Sequence, residues 1–249
     1  SYQKFVSIND GFSNAYTADD RTNYHFEIAP DFLQEGLDRF SQFFLGPLFN
    51  QELIERELKA VNSEHSKNIP NDFRRIRQVK RKAFEENHPA RNFATGTLET
   101  LADVTREELL DFYNRHYSSN RMMLAIVGPQ DLDNLQQMVV PRFASVKNLN
   151  LNQIRFSSKY MNSDTRFRLM RVKTIKDTRS LTLMFALPKT LHYYKSQPLG
   201  MLGFLLGHEG KGSLLSLLKR KNLATGLSAG GGESNNSFSS FEVEIKLTS

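Results

Sequence analysis

The chain has 249 residues, room for one large domain or two ordinary ones, and its 39% apolar and 24% charged residues are a globular balance. It contains no cysteine, which excludes disulfide frameworks, thiolate metal sites and a cysteine nucleophile, and fits a reducing compartment; a cytoplasmic location is the expectation. A net charge of +6 is too small to indicate nucleic acid, no apolar run approaches the roughly 20 residues of a membrane span, and "SYQKFVSIND" lacks the basic start and apolar core of a signal peptide.

Residues 11–30 read as two strands joined by a polar turn. In the second, Thr22, Tyr24, Phe26 and Ile28 alternate with Asn23, His25 and Glu27, and Pro30 ends it. Leu33, Leu37, Phe40 and Phe44 then set out a helix from about Asp31, which "GPLF" breaks. The next helix carries "ERELKAVNSEHSKN". At about 100° per residue, Ile54, Leu58, Val61 and His65 share one arc, and Glu57 and Glu64 lie at its edge, two turns apart. A carboxylate at the border of a core costs free energy unless something pairs with it. The partner is left open between an Arg or Lys, a backbone donor and a metal. Asp72 opens a basic helix, "DFRRIRQVKRKAFEEN", that stops at His88-Pro89. Its cations, Arg74, Arg75, Arg77, Lys80, Arg81 and Lys82, read as a solvated face, because no aromatic platform for nucleic acid is interleaved with them.

Thr105 and Glu108 form a capping box for "TREELLDFYNRHY". "RMMLAIVG" reads as a buried strand ending at Gly128-Pro129, and residues 131–143 as an amphipathic helix with Leu132, Leu135 and Val139 in register. Residues 144–160, rich in Asn, Ser and Lys, read as a linker. The order then restarts with strands "RFRLMRV" and "LTLMFAL", helices "PLGMLGFLLG" and "GSLLSLLKRK", and a glycine-rich loop, "SAGGGE". In the last strand Phe241, Val243, Ile245 and Leu247 alternate with Glu242, Glu244 and Lys246. The expectation is an α+β chain of two units, 1–155 and 156–249, the second incomplete because no helix follows its last strand. The six histidines include no H-E-x-x-H or H-x-x-E-H pair, so spacing gives no complete metal site. In "GHEGKGSLL" glycines precede a helix start, either an ordinary entry or a place where free N–H groups hold an anion or a carbonyl.

Seven stretches, "GFSNAYTADDRTNYHFEI", "LDRFSQFFLGPLF", "RELKAVNSEHSKN", "HPARNFATGTLETL", "YSSNRMMLAIVG", "LLGHEGKGSLLSLLK" and "LSAGG", occur in an order that resembles the insulin-degrading-enzyme (insulinase, pitrilysin-like) family of zinc metallopeptidases. The resemblance implies two family-type domains, antiparallel-rich mixed sheets packed with helices, both incomplete. It implies an inverted H-x-x-E-H motif upstream of Ser1, which would hold two zinc ligands and the catalytic base, leaving no catalytic residue within this chain. On the same resemblance, Glu64 falls where the third zinc ligand sits and Glu57 where an acid supports it. Asn14, Ala15 and Tyr16 match an edge strand to which extended substrate adds. His208, Glu209 and Gly210 match a loop that anchors the substrate's N-terminal end, with Ala229 and Gly230 beside it. Lys211, where a relative has Pro, and Ala229, where a relative has Gly, depart from the pattern and alter the shape of that anchor. The implied cofactor is zinc, held in the complete enzyme and not by this chain alone. The implied partners are peptide substrates, the remaining parts of the same polypeptide and, as an open option, further copies in a homo-oligomer, with no nucleic acid and no membrane. The alternative is a non-catalytic family member that binds peptides or serves as a structural subunit.

Overall fold

The computed structural model describes residues 1–165 and 169–248. They divide into two compact units, Ser1–Ser63 with Gly96–Ile154, and Glu64–Thr95 with Arg155–Ser249. Both mix helices with antiparallel strands, the expected α+β class.

In the first unit, helix α1 (Tyr2–Ile8) starts at Ser1, whose hydroxyl accepts from the Lys4 N–H. Strands β1 (Phe12–Thr17) and β2 (Thr22–Glu27) form the expected hairpin, antiparallel from Phe12 opposite Glu27 to Thr17 opposite Thr22. After a 3₁₀ turn at Pro30–Phe32 comes α2 (Leu33–Leu45). Its Leu33 and Leu37 join Leu135 of α6 (Leu132–Phe143) in the core, with Phe26, Ile28, Ile126 and Phe143 packed around them. Asp131 caps α6, and Thr105 with Glu108 forms the capping box of α5 (Arg106–His116). Helix α3 (Gln51–Asn68) begins here, with Ile54 buried and Leu58, Val61 and His65 half-buried, as the arc predicts.

Two sequence expectations fail in this unit. Arg121 ends a 3₁₀ turn, Ser119–Arg121, and residues 122–128 belong to no strand or sheet among the described residues. Ile126 packs on the Leu33–Leu135 cluster, while Met123 and Val127 are 96% and 97% exposed. An apolar run stays a buried strand only where both faces are covered and both edges paired, and here one face is. Leu132, expected in the α6 stripe, is also exposed.

The second unit holds the end of α3, α4 (Asp72–Arg81), β3 (Ser180–Pro188), α7 (Pro198–Leu206), α8 (Leu214–Arg220), β4 (Ala224–Ser234) and β5 (Phe238–Leu247). The sheet order is β3-β5-β4, all antiparallel. Its main core is Leu215, Leu227, Phe241 and Val243, flanked by Leu187, Leu199, Leu206 and Leu218. A second cluster joins Phe84, Ala90, Tyr160 and Phe238, with the Tyr160 and Phe238 rings stacked at 3.7 Å.

Helix α4 stops at Arg81, short of the expected His88. Beyond it the chain is diverted into pairing with the segment around Tyr160: the Glu85 N–H donates to the Tyr160 carbonyl, and the Asn162 N–H to that of Ala83. The basic face is less solvated than expected. Lys80 pairs with Glu242 at 2.6 Å, Arg77 with Glu233 at 3.2 Å, and buried Arg81 donates to the Asn92 carbonyl. "SAGGGE" is the middle of β4 rather than a loop. The expected strand "RFRLMRV" falls partly outside the described residues; its described part, 169–172, is in no strand.

Candidate functional site

Helix α3 displays Glu57 and Glu64 at the edge of the arc that carries its apolar stripe. Both are exposed, and among the described residues neither side chain makes an ion pair or a hydrogen bond. The cost of a half-buried carboxylate therefore does not arise, and no Arg or Lys clamps either acid. His65 is taken up otherwise: its ring meets Phe93 edge to face at 5.3 Å. Zinc needs three or four protein ligands. Among the described residues no group of three or more His, Asp or Glu side chains converges. Two unpaired carboxylates suit a divalent cation, yet by themselves they do not fit a zinc site.

Asn14, Ala15 and Tyr16 lie on β1, opposite His25, Tyr24 and Asn23, and all three are exposed. Among the described residues strand β1 pairs only with β2, so its other edge is open to a further strand. The Ala15 N–H donates to the Asn14 side-chain carbonyl at 2.8 Å, so this edge amide has a local partner that an incoming strand would displace.

The second unit brings the remaining candidates together. A cleft of about 500 Å³ runs between α7 and β4, lined on the helix side by Phe204 and Gly207, at the loop by His208 and Glu209, and on the strand by Ala229 and Gly230. It exists because α7 turns small residues toward the strand. A Cβ on Gly203 would lie 2.7 Å from the Ala229 carbonyl oxygen and 3.0 Å from the Gly230 Cα. Gly210 does not line the cleft but shapes it: its N–H donates to His208 Nδ1 at 3.1 Å, and a Cβ there would strike the imidazole at 2.5 Å. With Nδ1 accepting, His208 carries its proton on Nε2 and presents that group as a donor. Among the described residues strand β4 pairs only with β5, so its other edge is joined to no further strand. Lys211, one departure from the family pattern, is exposed at the next turn of the loop.

Sequence reasoning reached four of these lining residues and missed Gly200, Gly203, Phe204, Gly207, Leu227 and Ser228. The signal was present: glycines at 200, 203 and 207 recur at helical spacing in "PLGMLGFLLG", the mark of a helix face that another backbone approaches closely.

Comparison with known proteins bears on the family and the fold. A family model described as Peptidase M16 inactive domain matches residues 103–249, and one described as Insulinase (Peptidase family M16) matches residues 1–87. The chain is 41% identical to an Arabidopsis thaliana protein named insulin-degrading enzyme-like 1, peroxisomal, and 40% identical to the Homo sapiens insulin-degrading enzyme. The alignments cover 100% and 99% of this chain but 26% and 25% of those proteins, so the chain spans about a quarter of their length. The fold superposes on the crystal structure of pitrilysin with a TM-score of 0.89 at 25% identity, covering 99% of this chain and 27% of that one.

Proposed function

Because the chain belongs to the M16 (insulinase) peptidase family, we propose that it forms part of a zinc metalloendopeptidase that degrades short, unfolded peptides in a closed chamber, and that alone it cleaves none. In this reading residues 1–155 belong to a first peptidase domain and residues 156–249 open a second. Glu64 would supply one carboxylate ligand and Glu57 would hold its orientation, with two histidines and the base supplied from outside this chain; zinc so held would acidify a bound water and polarise the scissile carbonyl. Both acids are exposed and unpaired among the described residues, which leaves them available.

Asn14, Ala15 and Tyr16 offer an edge for an extended substrate near its scissile bond, and the cleft holds its N-terminal end. The cleft is the observation that carries this reading. It sets Glu209, which has no ion-pair partner among the described residues, and the His208 Nε2–H beside the edge of β4 that no described strand covers. An N-terminal ammonium needs an acid, and an extended backbone needs unpaired N–H and C=O groups. The zero cysteine count fits a reducing compartment, and we place the protein in the cytoplasm.

The test is a blocked cleft. A Cβ on Gly230 meets nothing within 4 Å, so Gly230→Leu fills the cleft without straining the strand. Fluorescence anisotropy with extended peptides should show binding by the parent chain, weakened about tenfold by N-terminal acetylation and abolished by Gly230→Leu. Equal binding to the variant and to the acetylated peptide refutes the reading. The inactive-domain model over residues 103–249 favours a second reading, a non-catalytic peptide-binding or structural subunit. Sequencing the gene upstream of Ser1 separates the two: an H-x-x-E-H motif supports the peptidase, and its absence the subunit.

A further inference from the structure

We infer that the cleft between α7 and β4 selects peptides whose first residue is aromatic or branched-apolar, with Phe204 as its specificity-determining side chain; this rests on the reading of the cleft as the anchor for a peptide's N-terminal end. Helix α7 faces the cleft with Gly200 and Gly203, and its C-cap with Gly207, so Phe204 is the one large side chain the helix contributes among the described residues. The residue is 71% exposed and lines the cleft, and its ring meets the His208 imidazole edge to face at 6.2 Å. Opposite stand Leu227, Ser228, Ala229 and Gly230, which are apolar or small.

Among the described residues Glu209 is the single Asp, Glu, Lys or Arg lining the cleft. An incoming ammonium finds its counter-charge there. An acidic first side chain would meet Glu209 with nothing to neutralise it. A volume of about 500 Å³ accommodates a terminal residue with an aromatic side chain and part of the next residue. Covering the Phe204 ring with a second apolar side chain removes both surfaces from water, an effect expected to favour such residues about 10- to 100-fold over alanine.

The experiment uses the full 249-residue chain and C-terminally labelled pentapeptides that differ only in their first residue, Phe, Leu, Ala or Asp. Phe and Leu should bind at least tenfold more tightly than Ala, with Asp weakest. Phe204→Ala should bring the Phe-to-Ala ratio down to about one, and Phe204→Tyr should keep it. Thermal melts followed by circular dichroism verify that both variants fold. Equal affinity for Phe and Ala peptides, or a preference that survives Phe204→Ala, overturns the inference while the anchor stands. If no peptide binds, or acetylating the N-terminus changes nothing, the anchor itself falls and the selectivity with it.

Discussion

Gly203 and Tyr160 show how single positions set the geometry of the second unit. The backbone of α7 approaches β4 so closely at Gly203 that an added Cβ would lie 2.7 Å from a carbonyl oxygen, an atom with no rotamer to escape into. Helix or strand must then shift. Gly203→Ala is expected to destabilise by roughly 1–3 kcal/mol, the usual range for overpacking, despite alanine's better helix propensity. Urea unfolding measures this, and an unchanged or raised midpoint would contradict the close approach. Tyr160 is 2% exposed and its hydroxyl donates to the Ser239 carbonyl at 3.1 Å. Burial, helped by the Glu233 and Glu242 carboxylates, pushes that hydroxyl up to about 12. An unfolded tyrosine ionises near 10, so the folded state holds the proton more tightly. The contribution is fully present below pH 10 and is lost as pH rises toward 12. In Tyr160→Phe the fall of stability with pH across that window should flatten by up to one proton, about 1.4 kcal/mol per pH unit. Unfolding curves at pH 9.5, 10.5 and 11.5 decide it.

Elements in this protein are fixed by caps and by what they pack against, in that order. The caps of α5 and α6 are local in sequence and fold as read, because a Thr or Asp side chain finds the N–H groups of its own first turn. The basic helix α4 shows the opposite case. Its cations reach acids far along the chain, Lys80 to Glu242 and Arg77 to Glu233, and tie the helix to the sheet that β4 and β5 form. These pairs are about three-quarters buried at Lys80 and Glu242, so solvent screens them only in part. A double-mutant cycle on Lys80→Met and Glu242→Gln should give a coupling on the order of 1 kcal/mol that shrinks in 1 M salt. A coupling of zero at low salt would show that α4 is held by apolar contacts alone. The same pairing explains why a run of six cations carries no nucleic-acid reading: at least three of them are engaged with carboxylates or a backbone carbonyl.

At the scale of the molecule, the two acids of α3 and the cleft between α7 and β4 belong to different elements and ask for different tests. Helix α3 contributes two carboxylates, below the three ligands that zinc requires. The purified 249-residue chain is therefore expected to release no product from fluorogenic peptides with zinc added, and robust zinc-dependent hydrolysis would contradict the ligand count. In a longer polypeptide carrying H-x-x-E-H, Glu64→Gln should strip the metal, as read by zinc content after dialysis. A fully metallated, active variant would remove Glu64 from the ligand set.

Much of this was legible in the sequence. Periodicity marked the β1–β2 hairpin, α2 and α3, capping chemistry marked α5 and α6, and ordered motifs marked the family, because each depends on residues a few positions apart. Periodicity also placed Glu57 and Glu64 at the edge of the α3 stripe, though not their full exposure, which depends on what lies beside the helix. The cleft was only half legible. His208, Glu209, Ala229 and Gly230 were named, but Phe204 and the glycines of α7 acquire meaning only when the helix lies on β4. Three readings went astray for the same reason. Residues 121–128 were apolar enough for a buried strand but found no paired edge. The helix after Asp72 was diverted by Tyr160, about 80 residues downstream in sequence. The glycines of "SAGGGE" became a strand because β5 supplied the ladder. The sequence alone decided what local hydrogen bonds and a repeating apolar stripe can specify. Tertiary structure alone decided which edges are paired and where two backbones meet, since those energies arise only between segments that the chain's own order keeps apart.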